Sequence, residues 1–263
     1  LRLPAVSGDP NKIDREAANK VIHQAFASGI NYFDAAYTYH KGDSERFLGE
    51  ALSRYPRDSY YLASKFYVIA NPNIEEVFEE QLRRCRTDYF DFYLIHSVQE
   101  HFMEQYMDPK KDYLRYLLKQ KAAGRIRYLG FSSHMKPEGL RRFLDWYPDF
   151  DMALIQLNYW ALLDGKGQYD LLTERGIPIW VMEPLKGGRL VHLNNQAEEI
   201  LQRAAPGQTI PSWSFRYLLG LPNVQCVLSG MTSPEEIRQN AAVFEPGNQL
   251  TEAEHAALQE AIL

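Results

Sequence analysis

Asp34, Tyr39, Lys65 and His96 are side chains whose types fit together as a proton-transfer site. A free phenol has a pKa of about 10 and is a poor acid at neutral pH. A nearby ammonium favours the phenolate and lowers that value. Lys65 can supply the ammonium, and Asp34 can hold Lys65 by an ion pair. His96 can donate a hydrogen bond to a substrate oxygen, or help protonate it through Tyr39. Such a site polarises a carbonyl and delivers a proton to its oxygen. None of these groups donates electrons, so a reduction here needs a cofactor.

The elements around these residues say how they are positioned. The apolar run Ile30–Phe33 ends in Asp34, and a polar, aromatic loop with Tyr37, Tyr39 and His40 follows. Asp43 and Ser44 then open a helical pattern with Phe47, Leu48, Ala51 and Leu52 on one face. Upstream, Asp14 predicts a capped helix to Ser28, closed by Gly29. Tyr60–Lys65 reads as a strand, and Pro72 and Asn73 precede a helix to Arg84. Tyr89–His96 is a strand ending in histidine. A polar insertion through Asp108 leads to a helix over Tyr113–Ala123. Further strands are expected at Ile126–Ser132, Met152–Asn158, Ile177–Met182 and Val224–Ser229. Helices are expected at Pro137–Trp146, Tyr169–Arg175, Asn195–Ala204, Ser212–Leu219 and Glu235–Val243, with a last one from Thr251.

This alternation of nearly all-apolar strands with helices suits a parallel sheet buried on both faces. No strand is followed by a Gly-x-Gly-x-x-Gly turn, which argues against a dinucleotide-binding open sheet. The 263 residues instead suit an α/β (β/α)8 TIM barrel, one domain over residues 1–263, with its first strand expected upstream of Leu1. Sites in this barrel lie at the C-terminal strand ends. Besides the four residues above, those ends supply Ser132-Ser133 and Gln156-Leu157-Asn158, which can hold a carboxamide such as that of nicotinamide. The loop Lys186–Arg189 and the turn Ser229–Thr232, which leads into a helix, can hold phosphates.

These residues resemble the aldo-keto reductase family. Phe33-Asp34-Ala35-Ala36-x-x-Tyr39, with Gly42-x-Ser44-Glu45 and Leu48-Gly49, is similar to its first signature. Ser64-Lys65 is similar to its catalytic lysine strand, and Asp88-Tyr89-x-Asp91-x-Tyr93-Leu94-Ile95-His96 to its second signature. Gly124-x-Ile126-Arg127-x-Leu129-Gly130-Phe131-Ser132 and Gln156-x-Asn158-Tyr159 resemble its nicotinamide-holding strands. Pro234-Glu235-x-Ile237-x-x-Asn240 resembles its adenosine-binding end. The match runs in order from about residue 14 to residue 243.

The resemblance implies reduction of an aldehyde or ketone, with Tyr39 as proton donor, Lys65 and Asp34 tuning it, and His96 orienting the carbonyl. It implies NADP(H), ahead of NAD(H), as cofactor. Ser132, Ser133 and Gln156 would bind the carboxamide, and Gln239 and Asn240 the adenine. Met182, Pro184, Leu185, Lys186, Gly188, Ser229, Gly230, Met231, Thr232 and Arg238 complete the expected cofactor site. Met182 stands where the family often stacks an aromatic ring. Gly230 and Glu236 stand where it often has a basic pair for the 2′-phosphate. Met182–Gly188, Ser229-Gly230-Met231 and Phe131–His134 look most like a bacterial or archaeal branch that often carries a Cys-rich iron–sulfur tail. With two cysteines this chain cannot hold such a cluster by itself.

Composition narrows the partners. Hydrophobic residues make up 45% and charged residues 24%, ordinary for a globular chain, and the formal net charge is −5. Neither nucleic acid nor a membrane is expected as a partner, since no apolar run approaches the roughly 20 residues of a spanning helix. Cys85 and Cys226 read as reduced, packed thiols of a cytoplasmic protein. The partner expected is a small-molecule carbonyl substrate. Oligomeric state is open, as is a role as a nucleotide-sensing subunit. A metal hydrolase or lyase on this barrel would need paired ligands such as His-x-His on one strand, and the sequence has none. Tyr37, Phe66, Tyr67 and Trp160 follow strand ends and either line a pocket or close the top of the barrel.

Overall fold

A computed structural model of the chain describes residues 2–263. The elements run α1 (Arg15–Ala27), β1 (Tyr32–Asp34), α2 (Asp43–Leu52), β2 (Tyr61–Phe66), α3 (Ile74–Cys85), β3 (Phe90–Val98), α4 (Met103–Tyr106) and α5 (Tyr113–Ala122). They continue with β4 (Ile126–Ser133), α6 (Pro137–Trp146), β5 (Met152–Gln156), α7 (Ala161–Asp164), α8 (Gly167–Glu174) and β6 (Ile179–Met182). The chain finishes with α9 (Asn195–Ala204), α10 (Ile210–Leu219), β7 (Val224–Val227), α11 (Pro234–Ala241) and α12 (Glu252–Ile262). The strands are ordered β1-β2-β3-β4-β5-β6-β7, the sequential order of a (β/α)8 barrel. No helix among the described residues is long and apolar enough to cross a membrane.

Local chemistry sets the helix starts. Asp14, Asn73 and Thr251 each accept a backbone N–H of the first turn, from Ala17, Glu76 and Glu254 respectively. Two strands begin later than their apolar runs suggest, for one shared reason. Gly29 and Gly176 take positive φ at helix ends, and the next residue turns its N–H back: Ile30 bonds the Ala25 carbonyl and Ile177 the Leu172 carbonyl, each at 2.9 Å. Both isoleucines therefore close helices rather than open strands. The polar insertion after β3 also holds a short helix, α4, with Met103 and Tyr106 buried.

The chain falls into two compact units. The first contains the residues up to Ala153 together with Gly230–Arg238. In it β1 to β4 pair in parallel, with Asp34 opposite Ala63, Lys65 opposite Leu94 and Val98 opposite Ser133. The β3–β4 register shifts between Ile95 and Val98, at His96 and Ser97. Helices α2 and α3 meet at Gly49, where a Cβ would lie 2.3 Å from the Arg84 carbonyl oxygen, so no larger residue fits at this crossing. Near the start of β3 the fully buried Asp91 accepts from Arg57 (2.7 Å), Arg127 (2.8 Å) and the Leu62 N–H (2.9 Å). This clasp ties β2, β3 and β4 at the end opposite His96.

The second unit contains Leu154–Ser229 and Gln239–Leu263. Here β6 and β7 pair in parallel, with Val181 opposite Val227. Trp213 on α10 is fully buried, and Arg216 of the same helix makes a buried ion pair with Glu254 of α12 at 2.7 Å. Glu254 also caps its own helix through Thr251, so one carboxylate fixes both helices.

Candidate active site

The four proposed catalytic residues lie in the first unit, at the C-terminal ends of β1, β2 and β3 and in the loop after β1. Side chains alternate along a strand, so Ala63 and Lys65 share the face beside Asp34. The Lys65 ammonium reaches Asp34 Oδ2 and the Ala35 carbonyl oxygen, each at 2.6 Å. Lys65 is fully buried, and Asp34 is nearly so.

The loop then reverses sharply. His40 and Lys41 have φ of 51° and 54°, and Gly42 has 87° before α2 begins. Two consecutive non-glycine residues in the left-handed region are uncommon and mark a backbone held by its surroundings. The turn brings the Tyr39 ring over Lys65, with the ammonium 5.0 Å from the ring centroid. The same ring meets His96 edge-on at 5.8 Å. His96 sits at the register shift of β3, followed by Ser97 at φ 53°. A bulge of this kind re-aims a side chain. The Tyr106 hydroxyl of α4 donates to the His96 carbonyl at 2.6 Å, and Tyr67 and Phe102 complete an aromatic wall beside the imidazole.

Electrostatics assigns protonation states. Burial pushes the His96 imidazole well below its usual pKa, and the Lys65 charge adds to this. His96 is therefore a neutral ring at pH 7, and its buried Nδ1 has no protein partner. For Lys65, burial works against the charge, but Asp34 and Tyr39 outweigh it, and the pKa rises. For Tyr39 the largest influence is the Lys65 charge, which lowers the pKa as the sequence suggests. Burial and Asp34 together outweigh it, so the net displacement is upward. The phenol is therefore protonated at neutral pH.

A buried polar network stands behind these residues. The Gln81 amide nitrogen donates to the Lys65 carbonyl (3.0 Å), the Ser64 hydroxyl (2.9 Å) and Glu45 Oε1 (2.6 Å). Its oxygen accepts from the Tyr93 hydroxyl. Arg84 donates to Glu45 Oε2 at 3.0 Å and to the Tyr37 carbonyl at 3.3 Å. One network thus grips the strand that carries Lys65 and the loop that carries Tyr39. Burial raises the Glu45 pKa, against the pull of Ser64, Arg84 and Gln81. Gln81, Arg84 and Tyr106 are neighbours of the four proposed residues that pattern reading passes over. Gln81 does carry a signal, because it occupies a position of the apolar stripe Ile74, Val77, Phe78, Leu82, Cys85.

The expected cofactor residues divide between the units. In the first, Ser132 Oγ accepts the Ser97 N–H at 2.7 Å. Ser133 donates to the Val98 carbonyl and accepts the Met135 N–H, so its hydroxyl is engaged within the protein. His134 is exposed. Gly230, Met231, Thr232 and Arg238 also belong to this unit. In the second, Gln156 and Met182 are half-buried at the ends of β5 and β6. Asn158 ties the turn after β5 by donating to the Glu183 carbonyl (3.2 Å) and accepting the Trp160 N–H (3.1 Å). The Pro184 carbonyl accepts from Ser214, and the Lys186 ammonium lies 4.3 Å from the Trp160 ring centroid. Leu185 and Gly188 close a tight turn through the Gly188 N–H (2.9 Å). Asn240 donates to Ser229 at 3.3 Å, and Gln239 is exposed beside it.

Sequential βα units carry a phenol, an ammonium, a carboxylate and a neutral imidazole at adjoining strand ends of a barrel-type protein. Residues 4–263 match the Aldo/keto reductase family, and the chain belongs to it. It is similar to an NADH-specific methylglyoxal reductase of Escherichia coli, at 26% identity over 92% of this chain and 86% of that one. It is similar also to a second E. coli methylglyoxal reductase, at 27% identity over 99% and 92%. Among solved structures, an aldo-keto reductase from Bacillus halodurans in its holo form matches with a TM-score of 0.76, at 24% identity over 94% and 88%. One from Klebsiella pneumoniae in complex with NADPH matches with a TM-score of 0.76, at 23% identity over 94% and 84%. The fold is accordingly that of the (β/α)8 barrel, and the chain is an oxidoreductase of carbonyl compounds by family.

Proposed function

We propose that the chain reduces an aldehyde or ketone to the alcohol, with Tyr39 as general acid. The observation that carries this reading is the placement of Tyr39 between the Lys65 ammonium and the neutral His96 ring. A nicotinamide dinucleotide would be the source of the hydride that carbonyl reduction needs. His96 holds the carbonyl oxygen by a hydrogen bond from its neutral ring. The Tyr39 hydroxyl gives that oxygen its proton, and the phenolate left behind is stabilised by Lys65 until solvent reprotonates it. Asp34 keeps Lys65 charged and in place.

The donor chemistry suits the nicotinamide end. Ser132 keeps its own proton while its oxygen is fixed by Ser97, and Gln156 offers both an amide donor and an acceptor. With Ser133 engaged internally, Ser132 is the hydroxyl of the first unit left for a carboxamide. Met182, Pro184, Leu185, Lys186 and Gly188 belong to the ring and phosphate side of this reading, and Ser229, Gly230, Met231, Thr232, Arg238, Gln239 and Asn240 to the adenosine side. Small 2-oxoaldehydes are the first substrates to try, because two similar E. coli proteins bear the name methylglyoxal reductase. The test is steady-state reduction of an aldehyde panel including methylglyoxal, with NADH and NADPH, by the native chain and by Tyr39→Phe. Turnover in the native chain that survives unchanged in Tyr39→Phe would refute the assignment.

A further inference from the structure

We infer that the chain discriminates against the 2′-phosphate of NADP(H) and takes NAD(H), because Glu236 already holds the donors that a phosphate would need. This rests on the proposed function and reverses the cofactor order that the resemblance implies.

The turn before α11 is where the sequence offers an anion seat, with backbone N–H groups aimed out of a helix start. In the structure one oxygen takes that seat. Glu236 Oε2 accepts the Thr232 N–H at 2.6 Å, the Thr232 hydroxyl at 3.2 Å and the Ser233 N–H at 3.3 Å. The Ser233 hydroxyl in turn accepts the Glu236 N–H at 3.2 Å. The reciprocal pair between Ser233 and Glu236 is a capping box, a common helix start. The added Thr232 donors make it an anion site filled from within. A phosphate entering here must displace the carboxylate or sit beside it. A phosphate monoester carries between one and two negative charges near neutral pH, so sitting beside it is repulsive.

The cations that could offset this are engaged or exposed. Arg238 donates to Glu235 Oε2 through Nε (3.2 Å) and Nη2 (2.5 Å), and to Gln24 Oε1 through Nη1 (3.0 Å), which holds its guanidinium toward α1. Position 230 has no side chain, and its open face is covered by the Arg2 stem, whose Cβ lies 3.1 Å from where a Gly230 Cβ would stand. Arg2 then borders a cavity of about 690 Å³ shared with Pro4, His40 and Thr232. Arg2 is exposed, so solvent screens its charge and it offsets the carboxylate only weakly. A carboxylate suits the other alternative, since Glu236 Oε1 can accept from the ribose hydroxyls of NAD(H) while Oε2 keeps its cap.

Fluorescence titration of the full chain with NADH and with NADPH, at low and raised salt, tests this through binding alone. NADH should bind at least about tenfold tighter, and the ratio should shrink with salt because the repulsion is exposed and screened. Glu236→Gln keeps an acceptor for the cap and loses the charge, so it should narrow the ratio by improving NADPH. NADPH binding as tightly as NADH to the native chain overturns the inference and leaves the proposed function standing. Binding of neither overturns the proposed function, and this inference with it.

Discussion

The Lys65 ammonium and the Asp34 carboxylate sit 2.6 Å apart at the ends of adjacent strands, with the lysine fully buried. A buried ammonium is tolerable only with a partner. The Ala35 carbonyl gives it a second acceptor, which leaves Tyr39 above it as the movable proton.

Tyr39→Phe removes the hydroxyl and keeps the ring that packs on Lys65 and His96. Turnover should fall by roughly 100-fold or more, while cofactor affinity is unchanged. Steady-state kinetics and a fluorescence titration of the same preparation check the two halves separately. A matched loss of cofactor binding would mean that the hydroxyl holds the cofactor rather than delivering a proton.

Lys65→Met should act on both chemistry and stability. Lys65 is the largest influence on the Tyr39 phenol and draws its pKa down, so without it burial and Asp34 act unopposed. The basic limb of the pH–rate profile should move to higher pH, and turnover at pH 7 should drop. A limb that stays in place would argue that Lys65 does not tune the acid. The change also removes the buried counter-charge of Asp34, and the loss of folding stability should be about 3–5 kcal/mol.

Acid stability should report on His96. Its folded pKa lies well below the ordinary value of 6.5, so the unfolded chain binds the proton more readily. The contribution is fully present above pH 6.5 and is lost as pH falls toward the folded value. The urea midpoint of the native chain should therefore fall between pH 7 and pH 5. In His96→Gln that fall should be smaller, and equal slopes in the two proteins would remove His96 as its source.

Much of this arrangement was legible because strand-terminal residues announce themselves: an apolar run stopping in Asp34, Lys65 or His96 has few other readings. The capped starts at Asp14, Asn73 and Thr251 were legible for the same local reason. Ile30 and Ile177 misled, since an apolar residue after a helix-ending glycine looks like strand whether it opens one or closes the helix. The upward displacement of the Tyr39 pKa was beyond reach because it depends on how deeply a loop buries a ring. Gln81, Arg84 and Tyr106 were missed because the contacts that tie them to the site span from 10 residues, for Tyr106 with His96, to 47, for Arg84 with Tyr37.

The network behind Lys65 gives the last prediction. Arg84→Met leaves Glu45, itself fully buried, without its counter-ion. A buried pair broken on one side typically loses about 3–5 kcal/mol. The same change releases the Tyr37 carbonyl and so loosens the loop that carries Tyr39. Adding Glu45→Gln removes the stranded charge while leaving an amide that Ser64 and Gln81 can still bond. The double variant should therefore regain much of the lost stability, measured by urea unfolding, and remain low in kcat because the Tyr37 tether is still absent. If kcat returned in step with stability, Arg84 would be a packing residue and not one that positions the acid.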